Sequence, residues 1–231
     1  MSLFAIADTH LSLSADKPMD IFNGWSDYVQ RLQKNWRVVV TDGDTVVIPG
    51  DVSWAMSLEG AEKDFAFLES LPGRKILMKG NHDYWWNTAR KMENFFREKG
   101  FETIDIVHNS AKLVGNISVC GTRGWFFDAE EDADKKVLLR EAGRLRTSIE
   151  KGILLGGEPV VFLHYPPITQ DRICPEIYDV LVGYKIKRCF YGHLHSFATK
   201  CAFEGERDGI NFSLISGDYL EFLPKLIEKQ P

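Results

Sequence analysis

The sequence lacks the features that mark secreted, disulfide-stapled and membrane proteins. Its four cysteines form no CxxC pair and no even ladder of the kind that staples small secreted domains. No apolar run approaches the roughly 18 residues that span a bilayer. The short apolar stretch at residues 2–7 has no basic leader, unlike a signal peptide. These absences predict a soluble, cytoplasmic protein with no membrane partner and reduced cysteines.

The chain also has fewer basic than acidic residues. The chain has 28 Lys and Arg against 33 Asp and Glu, a formal net charge of -5, and no basic tract. Surfaces that bind nucleic acid depend on clustered Lys and Arg, so the charge balance disfavours a nucleic-acid partner. A locally positive pocket is still compatible with it. The length of 231 residues and the apolar fraction of 44% suit one domain with a full core.

The first half of the chain alternates between strand and helix patterns. Short β-branched runs close on Gly, Pro or Asp, and each is followed by apolar residues at helical spacing. The strands are predicted within residues 2–7, 44–53 and 74–83, and the helices within 20–36, 58–71 and 87–100. Asn87 is the predicted cap of the third helix, and Gly100 its predicted end. Such alternation predicts an α/β layer structure.

The second half shows hairpin patterns on either side of a long helix. Residues 111–122 predict a hairpin that turns at Gly115-Asn116, and residues 196–217 predict another, so antiparallel pairing is expected here. Residues 126–152 open with acidic residues and continue with an apolar helical stripe. This helix either lies on the surface near a site or packs against the core, and the packing interpretation is favoured.

Polar residues of metal-binding type stand at the ends of the predicted strands. They are Asp8, His10, Asp51, Asn81, His82, Asp83, His164, His193 and His195. Ligands of open α/β sheets bind at the carboxyl ends of strands, so these separate stretches can converge. Carboxylate and amide oxygens together with imidazoles, in this number, suit two divalent ions. The remaining histidine, His108, has no partner motif and is interpreted as an ordinary surface or packing residue.

The spacing within these stretches supports a shared site. Asp8 and His10 are two residues apart, as are His193 and His195, and alternate residues of an extended segment face the same way. A glycine precedes several of the candidates, at positions 50, 80 and 192, where it would let the backbone turn sharply. A single buried histidine or an HxH pair is more often structural than metal-binding. The metal hypothesis therefore depends on the complete, ordered set.

The order "DTH", "PGD", "GNHD", a later histidine and "GHLH" closely resembles the calcineurin-like metallophosphoesterase superfamily. The match runs from residue 8 to residue 195. The resemblance implies a four-layer α/β/β/α sandwich with two mixed β-sheets flanked by helices, in a single metallophosphoesterase domain over residues 1–231. It also implies a dinuclear metal centre at the strand ends.

The resemblance assigns a role to each polar residue by its position in the motifs. Asp8, His10 and His195 would hold one ion, and Asn81, His164 and His193 the other, with Asp51 as the bridge. His82 matches the family's catalytic histidine, and Asp83 the carboxylate that orients it. Mixed nitrogen and oxygen ligands accept Mn, Fe, Zn or Co, so the metal identity stays open.

The activity implied is hydrolysis of a small phosphorylated substrate, a phosphomonoester or a phosphodiester, by a hydroxide that bridges the two metals. Two alternatives stay open, a nuclease of the same superfamily and a non-catalytic scaffold that retains the fold. The protein Ser/Thr phosphatase branch carries an Asp-Arg pair after its second motif and reads GNHE in its third. This chain reads "GDVSWAMS" and "GNHD", which argues against that branch.

Two further features have a functional and a structural interpretation. Arg123 follows a predicted strand, where its planar fork would contact phosphate or form an ordinary salt bridge. An aromatic group would either wall the site and stack on a flat substrate or pack the core, and packing is favoured. The group comprises Trp54, Tyr84, Trp85, Trp86 and Trp125.

Overall fold

The computed structural model describes residues 1–125 and 132–229. The strands are β1 (Ser2–Ala5), β2 (Thr45–Pro49), β3 (Arg74–Met78), β4 (Ile104–Ile106), β5 (Lys112–Val114), β6 (Ile117–Thr122), β7 (Glu158–Leu163), β8 (Arg188–Tyr191), β9 (Gly205–Arg207), β10 (Ile210–Leu214) and β11 (Lys225–Lys229). The helices are α1 (Tyr28–Val39), α2 (Glu62–Glu69), α3 (Ala89–Lys99), α4 (Asp132–Leu154) and α5 (Pro175–Gly183).

The strands form two mixed sheets. The first has the order β11-β1-β2-β3-β4, in which β1 to β4 are parallel and β11 is antiparallel to β1. The second has the order β5-β6-β7-β8-β10-β9, in which the four central strands are parallel. The expectation that antiparallel pairing dominates the second half was wrong, because β6, β7, β8 and β10 pair in parallel and only the edge strands of this second sheet, β5 and β9, are antiparallel.

Alternating side chains explain why the two sheets pack face to face. In β1, Leu3 and Ala5 point into a core shared with the second sheet, whereas Phe4 points into a core shared with helices α1 to α3. In β7, Val160 and Phe162 belong to the shared core between the sheets. The layers therefore run helix, sheet, sheet, helix, and the four-layer α/β/β/α sandwich is confirmed.

Helix α4 covers the second sheet. Its predicted apolar stripe, Leu138, Ala142, Leu145 and Ile149, is buried in one core with residues of β7, β8 and α5, so the packing interpretation is confirmed. The acidic opening at residues 126–131 lies outside the described residues. Although α4 is 23 residues long, neither it nor any other helix within residues 1–125 and 132–229 is apolar enough to cross a membrane.

Several predicted element boundaries differ from the structure. The first helix begins at Tyr28 rather than near residue 20, and the buried Trp25 precedes it in a turn. The cap of α3 is Thr88, whose hydroxyl accepts a hydrogen bond from the Lys91 N–H, rather than Asn87. Gly100 ends that helix at a φ of 72°, as predicted.

One of the two predicted hairpins is confirmed in full and the other only in part. The hairpin that turns at Gly115-Asn116 is confirmed by the antiparallel pairing of β5 with β6. The second predicted segment, residues 196–217, opens instead with a 3₁₀-helix, Ser196–Cys201. Only its later part forms a hairpin, between β9 and β10.

Candidate metal centre

The polar residues predicted from the strand ends converge between the two sheets. They follow β1, β2 and β3 of the first sheet and β7 and β8 of the second, whose carboxyl ends lie on the same side of the sandwich. Five of them are almost completely buried: Asp8, His10, Asp51, Asp83 and His164. The structure therefore brings together residues that are up to 187 positions apart in the chain.

One group of side chains that could hold a metal ion consists of Asp8, His10 and His195. Each offers a ligand atom, and these atoms lie within 4.8 Å of one another. The Nε2 atoms of His10 and His195 are 3.4 Å apart, and His195 Nε2 is 3.6 Å from Asp8 Oδ1. This is the set that the resemblance assigns to the first ion.

A second group consists of Asp51, His164 and His193, whose ligand atoms also lie within 4.8 Å of one another. His164 Nε2 is 3.2 Å from His193 Nδ1 and 2.6 Å from Asn81 Oδ1. Asn81 therefore adds an amide oxygen to the two imidazoles and the carboxylate. These four residues include all three that the resemblance assigns to the second ion.

Asp51 is placed between the two groups. Its Oδ2 atom is 3.7 Å from Nε2 of His10, in the first group, and 3.5 Å from Nε2 of His164, in the second. Its Oδ1 atom accepts a hydrogen bond of 2.8 Å from the backbone N–H of His82. One carboxylate oxygen thus faces both groups while the other is held by the loop after β3.

The hydrogen bonding of these side chains fits a metal site. Asp8 Oδ1, His10 Nδ1 and His164 Nδ1 are buried and have no hydrogen-bond partner among the described residues. A buried polar atom without a partner costs free energy, and a coordinated cation is one of the few ways to compensate a cluster of them. The carboxylates, imidazoles and amide oxygen are ligands that divalent metals accept. The two groups can therefore hold divalent metals.

The pKa values of Asp51, His10 and His195 are shifted by burial and by neighbouring charges in the cluster. Burial, together with the nearby carboxylates of Asp83 and Asp8, raises the pKa of Asp51 to about 9. Burial lowers the pKa of His10 to about 3. Burial acts in the same direction on His195, but the carboxylates of Asp8 and Asp218 outweigh it and raise its pKa to about 10. A cation between these carboxylates would relieve the crowding.

Four of the same residues have strained backbone. The φ angles of Asp8, His10, Asp51 and His193 are 59°, 41°, 49° and 70°, all in the left-handed region. This conformation costs an L-residue roughly 1–2 kcal/mol, and such strain clusters at functional sites. Backbone hydrogen bonds hold it in place, from Asp8 N–H to Gly50 O and from His10 N–H to Asp51 O.

Two glycines permit the close approach of the ligand loops. A Cβ atom at Gly80 would collide with the carboxylate and backbone nitrogen of Asp51, and one at Gly192 would collide with Asp8 Oδ2. Neither glycine has a positive φ. Sharp turns were predicted at these glycines, whereas their role here is to leave room for a neighbouring carboxylate.

Asp83 has a different set of contacts from the one predicted. Its carboxylate accepts four hydrogen bonds, from the backbone N–H groups of Val52, Ser53 and Gly80 and from the indole N–H of Trp85. Three of these donors reach Oδ1 and one, the Gly80 N–H, reaches Oδ2. Within the described ranges it makes no hydrogen bond to His82. Asp83 therefore ties together the loops after β2 and β3, which carry Asp51 and Asn81.

His82 lies beside the donor groups without belonging to either. Its ring contacts that of Trp54, with centroids 4.4 Å apart, and its centroid is 5.9 Å from that of His10. Its Nδ1 atom is buried without a hydrogen-bond partner in the described part of the chain. Burial lowers the pKa of His82. The imidazole is thus close enough to act on a group bound at the first set of ligands.

Asp218 is a residue of the site that the sequence analysis missed. Its Oδ1 atom is 2.8 Å from Nδ1 of His195, and its Oδ2 atom accepts a hydrogen bond from the Ser196 N–H. A carboxylate on the second nitrogen of a metal-binding histidine fixes the orientation and tautomer of the ring. The available signal was the Gly217-Asp218 pair after β10, which repeats the Gly-Asp pattern that follows β2.

The aromatic residues divide between core and site. Trp85 is buried and packs in the core of helices α1 to α3, and Trp86 packs against the same core. Trp54 stacks on His10 with centroids 5.0 Å apart and contacts His82, so it forms a wall of the site. Tyr84 is 56% exposed near His82 and leaves an aromatic face open at the edge of the site.

Arg123 lies just after β6, outside both donor groups. Its guanidinium is 3.9 Å from the Glu141 carboxylate and lies over the Trp125 ring at 5.0 Å. Its carbonyl oxygen accepts a hydrogen bond from the N–H of Tyr165, the residue after His164. Arg123 is therefore anchored beside the second donor group, and the salt-bridge interpretation has a partner in Glu141.

Comparison with known proteins places this geometry in a family. A model of the calcineurin-like phosphoesterases matches residues 1–197, which include every predicted site residue. Uncharacterized protein MJ1445 of Methanocaldococcus jannaschii is 31% identical over 96 residues, which cover 39% of this chain and 52% of that protein. The chain thus aligns with about half the length of this relative.

Solved structures share the fold at low sequence identity. Phosphopantetheinyl hydrolase from Mycobacterium tuberculosis has a TM-score of 0.55 and 14% identity, over 100% of this chain and 96% of that one. AQ665 from Aquifex aeolicus, a protein of unknown function, has a TM-score of 0.53 and 16% identity, over 97% and 95%. TT1561 of Thermus thermophilus has a TM-score of 0.55 and 13% identity, over 86% and 85%. With its two sheets, its clustered ligands and a family match over most of its length, the chain belongs to the calcineurin-like phosphoesterase family.

Proposed function

We propose that the protein is a dinuclear metal-dependent phosphohydrolase, a phosphatase or phosphodiesterase acting on a small phosphorylated molecule. One domain over residues 1–231 carries the activity. The observation that supports this proposal best is the position of Asp51, whose Oδ2 atom lies within 3.7 Å of imidazoles from both donor groups. A carboxylate shared by two groups is the arrangement that a pair of neighbouring cations needs.

The first ion is assigned to Asp8, His10 and His195, and the second to Asn81, His164 and His193, with Asp51 shared. Asp218 supports the first set by orienting His195, and Asp83 supports both by fixing the two loops. Mn, Fe, Zn and Co all suit this mixture of nitrogen and oxygen donors. When bound, two such ions lower the pKa of a water molecule and neutralise charge on a phosphoryl group.

The chain's own residues then act on the substrate around this centre. The His82 imidazole lies next to the first donor group, where it donates a proton to the leaving oxygen or stabilises charge on the phosphoryl group. Trp54 holds the ring of His82 from one side. Arg123, anchored beside His164 and Tyr165, offers guanidinium donors to a substrate phosphate.

Hydrolysis of two model esters tests the proposal. Protein stripped by a chelator and reloaded with manganese is assayed with p-nitrophenyl phosphate and bis(p-nitrophenyl) phosphate. We expect metal-dependent turnover of at least one of them, abolished by Asp51→Asn. Asp105→Asn is the matched control, since Asp105 lies in β4 and pairs with Arg74 and Lys112 instead.

The same manganese-loaded protein, assayed also with single- and double-stranded DNA, separates the alternatives. Bound metal without turnover of any phosphoester would contradict the proposal and favour a non-catalytic scaffold. Cleavage of single- or double-stranded DNA without turnover of small esters would favour a nuclease.

A further inference from the structure

A small polar pocket lies outside the donor groups, at the carboxyl ends of β3 and β6. Its volume is about 70 Å³. The charged residues that line it are Lys79, Arg123, Arg144 and Glu141, so three cations face one carboxylate and the net charge of the lining is +2. We call it the basic pocket. The chain's formal net charge of -5 is compatible with such a locally positive pocket.

The carboxylate of the basic pocket is already occupied. Glu141 is buried, and it accepts hydrogen bonds of 2.5 Å from the Thr122 hydroxyl and of 2.5 Å from Arg144 Nη1. Arg123 Nη2 is farther away, at 3.9 Å. Glu141 thus holds Arg144 in place against the pocket. One carboxylate cannot neutralise Lys79, Arg123 and Arg144 together, so the described lining keeps a net positive charge.

Arg123 and Lys79 are less completely paired within the described part of the chain. Arg123 Nε is buried and has no hydrogen-bond partner among the described residues. Lys79 forms no ion pair with a carboxylate of residues 1–125 or 134–229. A guanidinium and an ammonium that converge on a cavity in this way are the donors that bind phosphate, the first through its fork and the second as a point charge.

The opposite wall of the basic pocket is rigid and neutral. The indole N–H of Trp86 donates a hydrogen bond of 2.9 Å to Nδ1 of His108, and the two rings are stacked. Because indole nitrogen is only a donor, His108 Nδ1 accepts and its proton is on Nε2. His108, which the sequence analysis interpreted as an ordinary histidine, therefore contributes a fixed wall to the pocket.

The basic pocket is a neighbour of the second donor group. Lys79 precedes Asn81 by two residues, so their Cα atoms are at most about 7 Å apart. Arg123 is hydrogen-bonded through its carbonyl to the residue after His164. A water molecule needs about 10–15 Å³ of such a volume, so the pocket has room for about five heavy atoms, the number in a phosphate group.

We infer that the basic pocket binds a second phosphate group of the substrate, so that the preferred substrate class is small molecules with two phosphates. This inference rests on the proposed function, since it places the scissile phosphoester at the metal centre and the second phosphate next to Lys79, Arg123 and Arg144. The second phosphate is bound, not cleaved. The competing interpretation is that the pocket binds a free phosphate ion rather than a phosphate group of the substrate.

The first arm of the test needs no activity. Metal-free protein, kept in chelator, is titrated with inorganic phosphate by isothermal calorimetry. We expect binding at one site, weakened at least tenfold in Arg144→Gln and in Lys79→Gln. Arg146→Gln is the matched control, because Arg146 lies on the same helix but lines a groove against α5. Absence of binding, or equal binding by all variants, overturns the inference whether or not the protein is a hydrolase.

The second arm uses the manganese-loaded enzyme. Fructose 1,6-bisphosphate and adenosine 3′,5′-bisphosphate compete with p-nitrophenyl phosphate, each beside its monophosphate counterpart. We expect at least one bisphosphate to inhibit at least tenfold more strongly than its monophosphate, and this ratio to fall towards one in Arg144→Gln but not in Arg146→Gln. Phosphate binding in the first arm without any such preference in the second would assign the pocket to a free anion and overturn the substrate class.

Discussion

The two ends of the first sheet bury polar residues in opposite ways. At the carboxyl ends of its strands, Asp8 and Asp51 stand on left-handed backbone, and one Asp8 oxygen has no hydrogen-bond partner among the described residues. At the amino ends, Asp44 accepts hydrogen bonds from the N–H groups of Ser2 and Thr41 and from the Thr41 hydroxyl. Both kinds of carboxylate are buried, so burial alone does not distinguish a functional from a structural residue.

The pKa values express the same difference. Burial opposes ionisation of Asp44, but the hydrogen bonds from Thr41 and Ser2 outweigh it and lower its pKa. Burial and neighbouring carboxylates raise the pKa of Asp51 to about 9. The Asp44 carboxylate is stabilised by donors already in the fold, whereas the Asp51 carboxylate, a proposed metal ligand, has too little positive charge around it. The comparison therefore predicts opposite responses to mutation at the two ends.

The largest effect is expected at Asp51. Asp51→Asn removes the shared charge, so both metals are expected to be lost and kcat/KM to fall by more than about 100-fold, since residues that only support metal ligands account for about 10–100-fold. The unfolding midpoint in chelator is expected to stay the same or rise, because Asn avoids the cost of protonating a buried carboxyl group whose pKa is raised to about 9. Metal analysis, kinetics and urea unfolding measure these quantities. Retention of both metals would refute the shared role, with Asp105→Asn as the control.

His82 separates catalysis from metal binding within the site. His82→Ala is expected to lower kcat by about 100- to 10,000-fold, the usual contribution of a general acid or base. Its metal content is expected to equal that of the wild type, because the imidazole belongs to neither donor group. Kinetics and elemental analysis of the same preparation test this. Loss of a full equivalent of metal would show that His82 is a ligand.

Asp44 provides the structural counterpart of Asp51. Asp44→Ala leaves three donors without their acceptor, and we expect the free energy of unfolding to fall by about 2–3 kcal/mol. Turnover per folded molecule is expected to be unchanged, since Asp44 lies at the far end of the sheet. Urea unfolding in chelator and active-site titration measure the two quantities. A loss of turnover with an unchanged free energy of unfolding would contradict the structural role assigned to Asp44.

The smallest expected effect is a pH dependence at the amino ends. Burial lowers the pKa of Lys75 from 10.5 to about 8, despite the nearby Glu69. Between these values the unfolded chain binds more protons than the folded protein, so stability rises with pH. Relative to Lys75→Met, the wild type is expected to gain about 1–2 kcal/mol between pH 8 and pH 10. Parallel stability curves for the two proteins would contradict this assignment.

Much of the site was predictable from the sequence because its residues follow short, strongly apolar strands. The apolar pattern that predicts a strand also predicts the position of the candidate metal ligand, Asp8 or Asp51, just after the strand. The parallel pairing of β1 to β3 then brings these strand ends together. The contacts of Asp83 and Asp218 were not predictable in the same way. They depend on which loops meet in space, and no local periodicity encodes that.

The parts of the fold that were mispredicted have a related cause. The strands of the second sheet look like hairpin strands because β5 and β9 are joined to their neighbours by tight turns. The parallel pairing of β8 with β10 is set by packing against α4, α5 and the first sheet, which the local sequence does not report. The Thr88 cap was missed because Asn87, an equally good cap residue, is adjacent to it.

Metal stoichiometry tests the central claim most directly. Metal is removed from the wild-type protein with a chelator, and the protein is then dialysed against manganese. Its metal content is measured by inductively coupled plasma mass spectrometry, alongside that of Asn81→Ala and Asp51→Asn. The account predicts two equivalents per chain in the wild type, one in Asn81→Ala and fewer than one in Asp51→Asn. One equivalent or less in the wild type, or the same content in all three proteins, would contradict it.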